Sequence, residues 1–238
     1  MEAERITTRA TSLLLLYYYI RRHRIMSQAV TPTVSLNQLL QDPNTTLEDV
    51  QQRLNQVDFE TRLQECMKLG KKAQKNLYRL GASNPCTLED MVPANIPPKT
   101  PVILEGKNSL PLFTRFQKIF AWAEDEHALY GFNEGFTRKF IGPGYFVAHL
   151  TDSAHAQEGW TTHARSVVNY HIVPPSQDAV PAGWPKVVPN TKGLQRFVYR
   201  GMNDFMRKIT DDVSIGAAFK GDKDFDSFFV LVRRPIEH

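Results

Sequence analysis

The stretch "GPGYFVAHLTDSAHAQEGW", residues 142–160, places His149, Asp152, His155 and Glu158 within ten positions. Imidazoles and carboxylates are the groups that ligate transition metals and relay protons. On a helix, the steps of three between His149, Asp152 and His155 would spread them over more than half the circumference. They are therefore expected to straddle a strand end and the loop beyond it, with His149 on the same strand face as Tyr145 and Val147. His163 and His171 add two candidates, and His171 would share a face with Asn169, Val167 and Val173. Neighbouring strands would let His149, Asp152, His155 and His171 form the centre of a metal- or His-dependent enzyme, with His149, Asp152 and His155 as metal ligands. The structural alternative is a pair of hydrogen-bonded strand histidines, His149 and His171, with His155 and His163 in solvent.

Other chemistries leave no trace. The chain contains no GxSxG elbow, P-loop, Rossmann fingerprint, HExxH or kinase signature, so no cofactor is assigned. Cys66 and Cys86 lack a CxxC partner or a zinc-finger His, and neither has an activating neighbour. "FIGPGYF" leads into a strand, whereas a phosphate-cradling loop leads into a helix, so Gly142 and Gly144 read as a structural turn. The acidic turn Asp222, Asp224, Asp226 has Ser227 and Arg233 where a calcium loop requires Gly and Glu.

What remains is aromatic density. Fourteen Phe, eight Tyr and three Trp crowd the second half, interleaved with polar residues. A curved sheet commonly leaves a concave apolar space with a few polar anchors. Strand alternation makes Arg115, Asn133, Tyr145, His149, Asn169 and His171 the candidate ligand-binding anchors. The leading expectation is thus a soluble domain that binds a hydrophobic small molecule or lipid in an aromatic-lined pocket.

The elements that must hold these residues divide the chain at a proline-rich stretch. Residues 26–80 read as a helical module: Thr46 and Asp49 form a capping box, and Phe59, Leu63, Cys66, Gly70, Ala73, Leu77 and Leu80 recur along one helical face. That stripe could dimerise through residues 46–80 or recruit a partner, though a short stripe holding Gly and Ala packs better against the rest of the protein. Residues 81–101 contain five prolines and read as a linker with at most one helical turn, at Thr87 to Met91. Residues 102–238 carry short β-branched and aromatic runs at 101–106, 145–151, 166–173, 213–219 and 227–234. A hairpin is expected at Gly221 to Asp224. A second would turn at Glu124 to His127, although residues 112–123 also fit a helix. Lys192 to Ile209 reads as one long helix, with Leu194, Phe197, Val198, Gly201, Met202 and Phe205 on its apolar face. The predicted fold is α+β: an N-terminal helical segment, then a mostly antiparallel sheet covered by that late helix.

The charge is +4 overall. Residues 1–25 carry five arginines against Glu2 and Glu4, a net +3, which leaves +1 for the rest. A near-neutral body gives no footprint for phosphate backbones, so nucleic acid is not an expected partner. The apolar run Leu13 to Ile20 is too short for a transmembrane span and lacks an export cleavage site. It reads as a leader outside the mature fold, with Met26 as the start, or else as a basic membrane-surface anchor. Cysteine usage fits a cytoplasmic protein.

Overall fold

Strand after strand in the second half obeys a period of two, and the fold follows from which phase of that alternation turns inward. The computed structural model describes residues 34–124, 127–221 and 223–236; the leader lies outside them. Eight strands follow one another: β1 (Val102–Asn108), β2 (Arg115–Trp122), β3 (Leu129–Glu134), β4 (Phe146–Leu150), β5 (Ser166–Asn169), β6 (Met202–Lys208), β7 (Val213–Lys220) and β8 (Lys223–Arg233). Each pairs antiparallel with the next, and β8 returns to β1 to close a barrel. The expected open sheet under a long helix is therefore corrected to a closed eight-stranded antiparallel barrel. Closure satisfies both edge strands, which an open sheet would leave unpaired.

The late helix fails for a definable reason. Within it only α6 (Gln195–Val198) is helical; Gly201 takes φ +75°, and Met202–Lys208 is strand β6. The apolar spacing fits a helix, but Met202, Asp204 and Met206 also alternate with Asn203, Phe205 and Arg207. Asp204 breaks the apolar phase and hides that period of two. Burial of Phe205 outside the barrel and Met206 inside favours the strand. The hairpin at Gly221 forms as expected, and residues 112–123 supply β2 rather than a helix.

The front half packs on the barrel. Helices α1 (Leu36–Leu39), α2 (Leu47–Asn55), α3 (Phe59–Cys66) and α4 (Lys71–Leu80) are short, and the Thr46–Asp49 capping box is present. The stripe expected to run unbroken from Phe59 is split at Gly70, the N-cap of α4. Leu54, Cys66 and Leu77 of these helices are buried against Val213, Ile215, Val230 and Val232 on the outer wall. Each such side chain contributes about 1.5–3 kcal/mol on burial. Arg62 bonds Asp212 at 2.9 Å and Gln51 donates to the Ile209 carbonyl at 2.8 Å. No helix among the described residues is long and apolar enough to cross a membrane.

The proline-rich segment is a stopper. Cys86, Leu88, Met91, Val92 and Ile96 join the inward residues Val102, Leu104, Phe120, Leu129 and Leu231 in one core. One turn of helix, α5 (Leu88–Met91), carries a Thr87–Asp90 capping box. Asp90 also takes Lys208 at 2.8 Å, and Trp122 donates to the Pro93 carbonyl at 3.2 Å. The prolines leave this segment few amide donors to satisfy, and its start bridges to β6 at Pro85 and Arg207.

Three inward glycines set the interior. Gly106, Gly131 and Gly216 lie opposite Phe116, Phe146 and Phe229 across neighbouring strands. A Cβ on Gly216 would come within 2.1 Å of the Phe229 ring, and one on Gly131 within 2.3 Å of Phe146. Gly216→Ala should therefore push Phe229 aside and cost about 1–3 kcal/mol, as overpacked cores do. Chemical denaturation of the variant and wild type measures this; an unchanged midpoint would show that the ring is not wedged.

Candidate functional site

The barrel's lower half is filled, and its upper half is not. Four connections, β1–β2, β3–β4, β5–β6 and β7–β8, ring the upper end around a cavity of about 500 Å³. Phe113, Phe136, Ile141, Phe197, Val198 and Phe225 line the mouth; Phe116, Phe229, Tyr199 and Met202 line the walls; Lys118, Asn133, Tyr170 and Asp204 lie at the floor. That volume falls within the range of roughly 300–1,000 Å³ typical of small-molecule sites.

The floor is a buried polar network in apolar surroundings. Lys118 points inward from the middle of β2, between Phe116 and Phe120. Its ammonium donates to Asp204 Oδ2 at 3.0 Å, to Asn133 Oδ1 at 3.2 Å and to the Tyr170 hydroxyl. All three N–H bonds are thus used. The rings of Phe146, Tyr170 and Phe229 stand 4.8–5.0 Å from the same nitrogen, and Phe116 at 5.9 Å. Aromatic faces attract a desolvated cation. Tyr170 donates to Asp204 Oδ2 at 3.2 Å and accepts from Asn133 Nδ2 at 3.1 Å, while Asn133 Nδ2 also reaches the Gly144 carbonyl at 3.1 Å.

Burial dominates the titration of this group. It pulls the Lys118 ammonium below the ordinary lysine value and pushes the Asp204 carboxyl above the ordinary aspartate value, and each charge partly offsets the shift of the other. Burial, then the Asp204 charge, holds the Tyr170 phenol well above 10. The phenol stays protonated and donates. Lys118 and Tyr170 both bond Asp204 through Oδ2, which leaves Oδ1 of this side chain, part of the cavity lining, without a hydrogen bond from the network. A ligand reaching the floor therefore meets a hydrogen-bond acceptor.

The sequence-derived residues fall into two groups. Asn133 is in the network, and Arg115 is exposed at the mouth. Tyr145, His149, Asn169 and His171 lie outside the wall. Tyr145 packs with Phe132 and Trp184 under the β5–β6 connection, its hydroxyl donating to the Pro185 carbonyl. His149 on β4 neighbours β5. Asn169 Oδ1 accepts the His171 amide at 2.8 Å, so its Nδ2 faces His149 Nε2 at 3.1 Å. The His149 proton then sits on Nδ1, 2.9 Å from the Leu150 carbonyl and from Ser153 Oγ. His155 lies 5.8 Å from His149, ring to ring; Asp152 pairs with Arg165 at 2.7 Å, and the exposed His171 has Nε2 3.4 Å from the Asn203 amide. Among the described residues no group of three or more His, Cys, Asp or Glu side chains is placed to hold a metal ion. Both cysteine thiols are pushed up to about 12 by burial.

Lys118, Tyr170 and Asp204 escaped sequence reasoning. A signal existed: each of Lys118 and Asp204 is a charged residue in phase with apolar strand neighbours, Phe116/Phe120 and Met202/Met206. Compared with known proteins, the chain matches no family model, no curated protein and no solved structure.

Two outcomes follow. Lys118→Met leaves Asp204 without its cation and should destabilise by about 3–5 kcal/mol, while Lys118→Met with Asp204→Leu should recover most of that loss. Equilibrium unfolding of both variants checks it. His149 has a proton affinity lowered by burial, which outweighs its bond to the Leu150 carbonyl. A depressed value means stability that is present above pH 6.5 and lost as pH falls below it. Melting temperatures between pH 8 and pH 5 should therefore drop more steeply for the wild type than for His149→Gln.

Proposed function

We propose that the protein binds an apolar small molecule or lipid in the upper half of the barrel, its hydrogen-bond-donating end toward Asp204. The observation that carries this reading is the cavity of about 500 Å³, stoppered below, open above and with aromatic and aliphatic walls over a polar floor. Lys118 has no donor left to offer and its charge is balanced by Asp204, so an acceptor-only carboxylate gains nothing there. A hydroxyl or amine would satisfy Asp204 Oδ1, and leaving that oxygen unpaired beside an apolar ligand costs about 1–3 kcal/mol. Arg115 and Lys220 at the mouth suit a polar or anionic outer end.

His-dependent chemistry at residues 149–171 has less support, because both ring nitrogens of His149 already have neighbours that match a neutral imidazole. The site within the barrel has the enclosure and the convergent polar groups that a ligand needs.

The dye 1-anilinonaphthalene-8-sulfonate should bind the wild type with enhanced fluorescence. Ala218→Trp, which fills the cavity from an inward position on β7, should weaken it at least about tenfold without lowering stability. A long-chain alcohol should displace the dye at about one-tenth the concentration of the carboxylate of equal length. Equal dye binding by Ala218→Trp would reject the cavity as the site, and stronger displacement by the acid would reject the assignment to Asp204.

A further inference from the structure

Among the described residues ten large apolar side chains are exposed; eight of them sit on three of the connections that surround the cavity mouth, and Phe225 stands at the start of β8 beside the fourth. Phe113, Phe136, Phe140, Leu194, Phe197 and Phe225 are 46–73% exposed. Phe113 stacks on Phe136 at 6.0 Å, and Phe136 meets Phe140 at 6.1 Å, so two connections present one aromatic ridge. Phe113 holds φ +52°, a left-handed conformation that costs a bulky residue free energy. A continuous apolar rim of this kind marks a surface that meets something other than water.

The charges around that rim indicate what it meets. Arg115, Lys139, Lys192, Arg196, Arg200 and Lys223 are exposed, each within two residues of an exposed apolar side chain. The acids near them are mostly engaged: Glu134 pairs with Arg138 at 2.7 Å, and Asp226 with Lys71 and Lys75 at 2.8 and 2.7 Å. Among the described residues of these turns, Asp178 and Asp224 are exposed and outside an ion pair. The protein is near neutral apart from its first residues, so this basic belt is local. Cations on the β3–β4 and β5–β6 connections and at the starts of β2 and β8, with aromatic side chains standing between them, suit a broad anionic surface with an apolar interior. A protein groove would instead call for one compact ridge.

We propose that the open end of the barrel docks on an anionic lipid bilayer, the rim phenylalanines inserted among the acyl chains and the basic belt held at the headgroups. The attachment stands on the rim itself. Its consequence, that an apolar ligand passes between bilayer and cavity without crossing water, rests on the cavity reading above.

Sedimentation of the full chain with phosphatidylcholine vesicles, with and without phosphatidylserine, tests the attachment. Binding should require phosphatidylserine and weaken with added salt. Phe140→Ser with Leu194→Ser, two exposed positions outside the cavity wall, should reduce it by more than about tenfold. Lys139→Gln and Arg196→Gln should each reduce it about fivefold. Dye binding in solution is measured on the same samples. Loss of vesicle binding with dye binding retained supports docking through the rim. Vesicle binding by a protein that never takes up dye also supports docking and removes only the cavity reading. Failure of the wild type to sediment with anionic vesicles overturns the proposal. So does sedimentation of the Phe140/Leu194 variant at the wild-type level, which would move attachment elsewhere, such as residues 1–33. A concentration-dependent dimer abolished by the same substitutions, without vesicle binding, assigns the rim to a second copy and overturns it as well.

Discussion

An ammonium and a carboxylate buried inside a barrel constrain everything around them. Lys118 and Asp204 come from β2 and β6, on opposite sides of the barrel, and meet at 3.0 Å where water is largely excluded. Desolvating both ions is costly, and their attraction offsets that cost only with good geometry and further hydrogen bonds. Asn133 and Tyr170 supply those bonds, and four aromatic rings supply the remaining surface of the cation. Three of those rings fit only because Gly106, Gly131 and Gly216 lie opposite them. The pair, the rings and the glycines form one steric and electrostatic unit.

That unit divides the barrel. Below it, buried apolar side chains and the proline-rich stopper fill the interior. Above it, Phe116, Phe229, Tyr199 and Met202 line the walls and the space between them remains open. The four upper connections then determine access. The longest, between β5 and β6, folds back over the wall: Asn190 bonds the Tyr145 and Tyr170 carbonyls at 2.6 and 2.9 Å, and Trp184 covers Phe132. This clasp holds Tyr170 and Tyr199, stacked at 5.4 Å, against the cavity. A cavity with a polar floor and an apolar rim is compatible with the binding of a small molecule.

Much of the local structure was legible in the residues. The strand runs, the Gly221 hairpin, the Thr46 capping box and the single turn after Thr87 all rest on interactions within a few positions. The late helix was misread because Leu194 to Phe205 satisfies two periods at once, and the deciding factor, which side of a wall Phe205 and Met206 face, is not local. The candidate anchors show the same limit. Asn133 was found because it alternates with Gly131 on an inward face. Tyr145, His149 and Asn169 alternate just as well, on the opposite face of the wall.

The amino-acid sequence by itself determined where strands and turns form, because period, glycine and proline act through backbone sterics and burial of one face. It also determined that the chain has aromatic area to enclose a ligand. Closure of the barrel, and with it the distinction between inside and outside, was decided only by the tertiary structure. The reason is physical: Lys118 and Asp204 are 86 residues apart, and whether a charged side chain can be buried depends on partners that no local pattern brings to it.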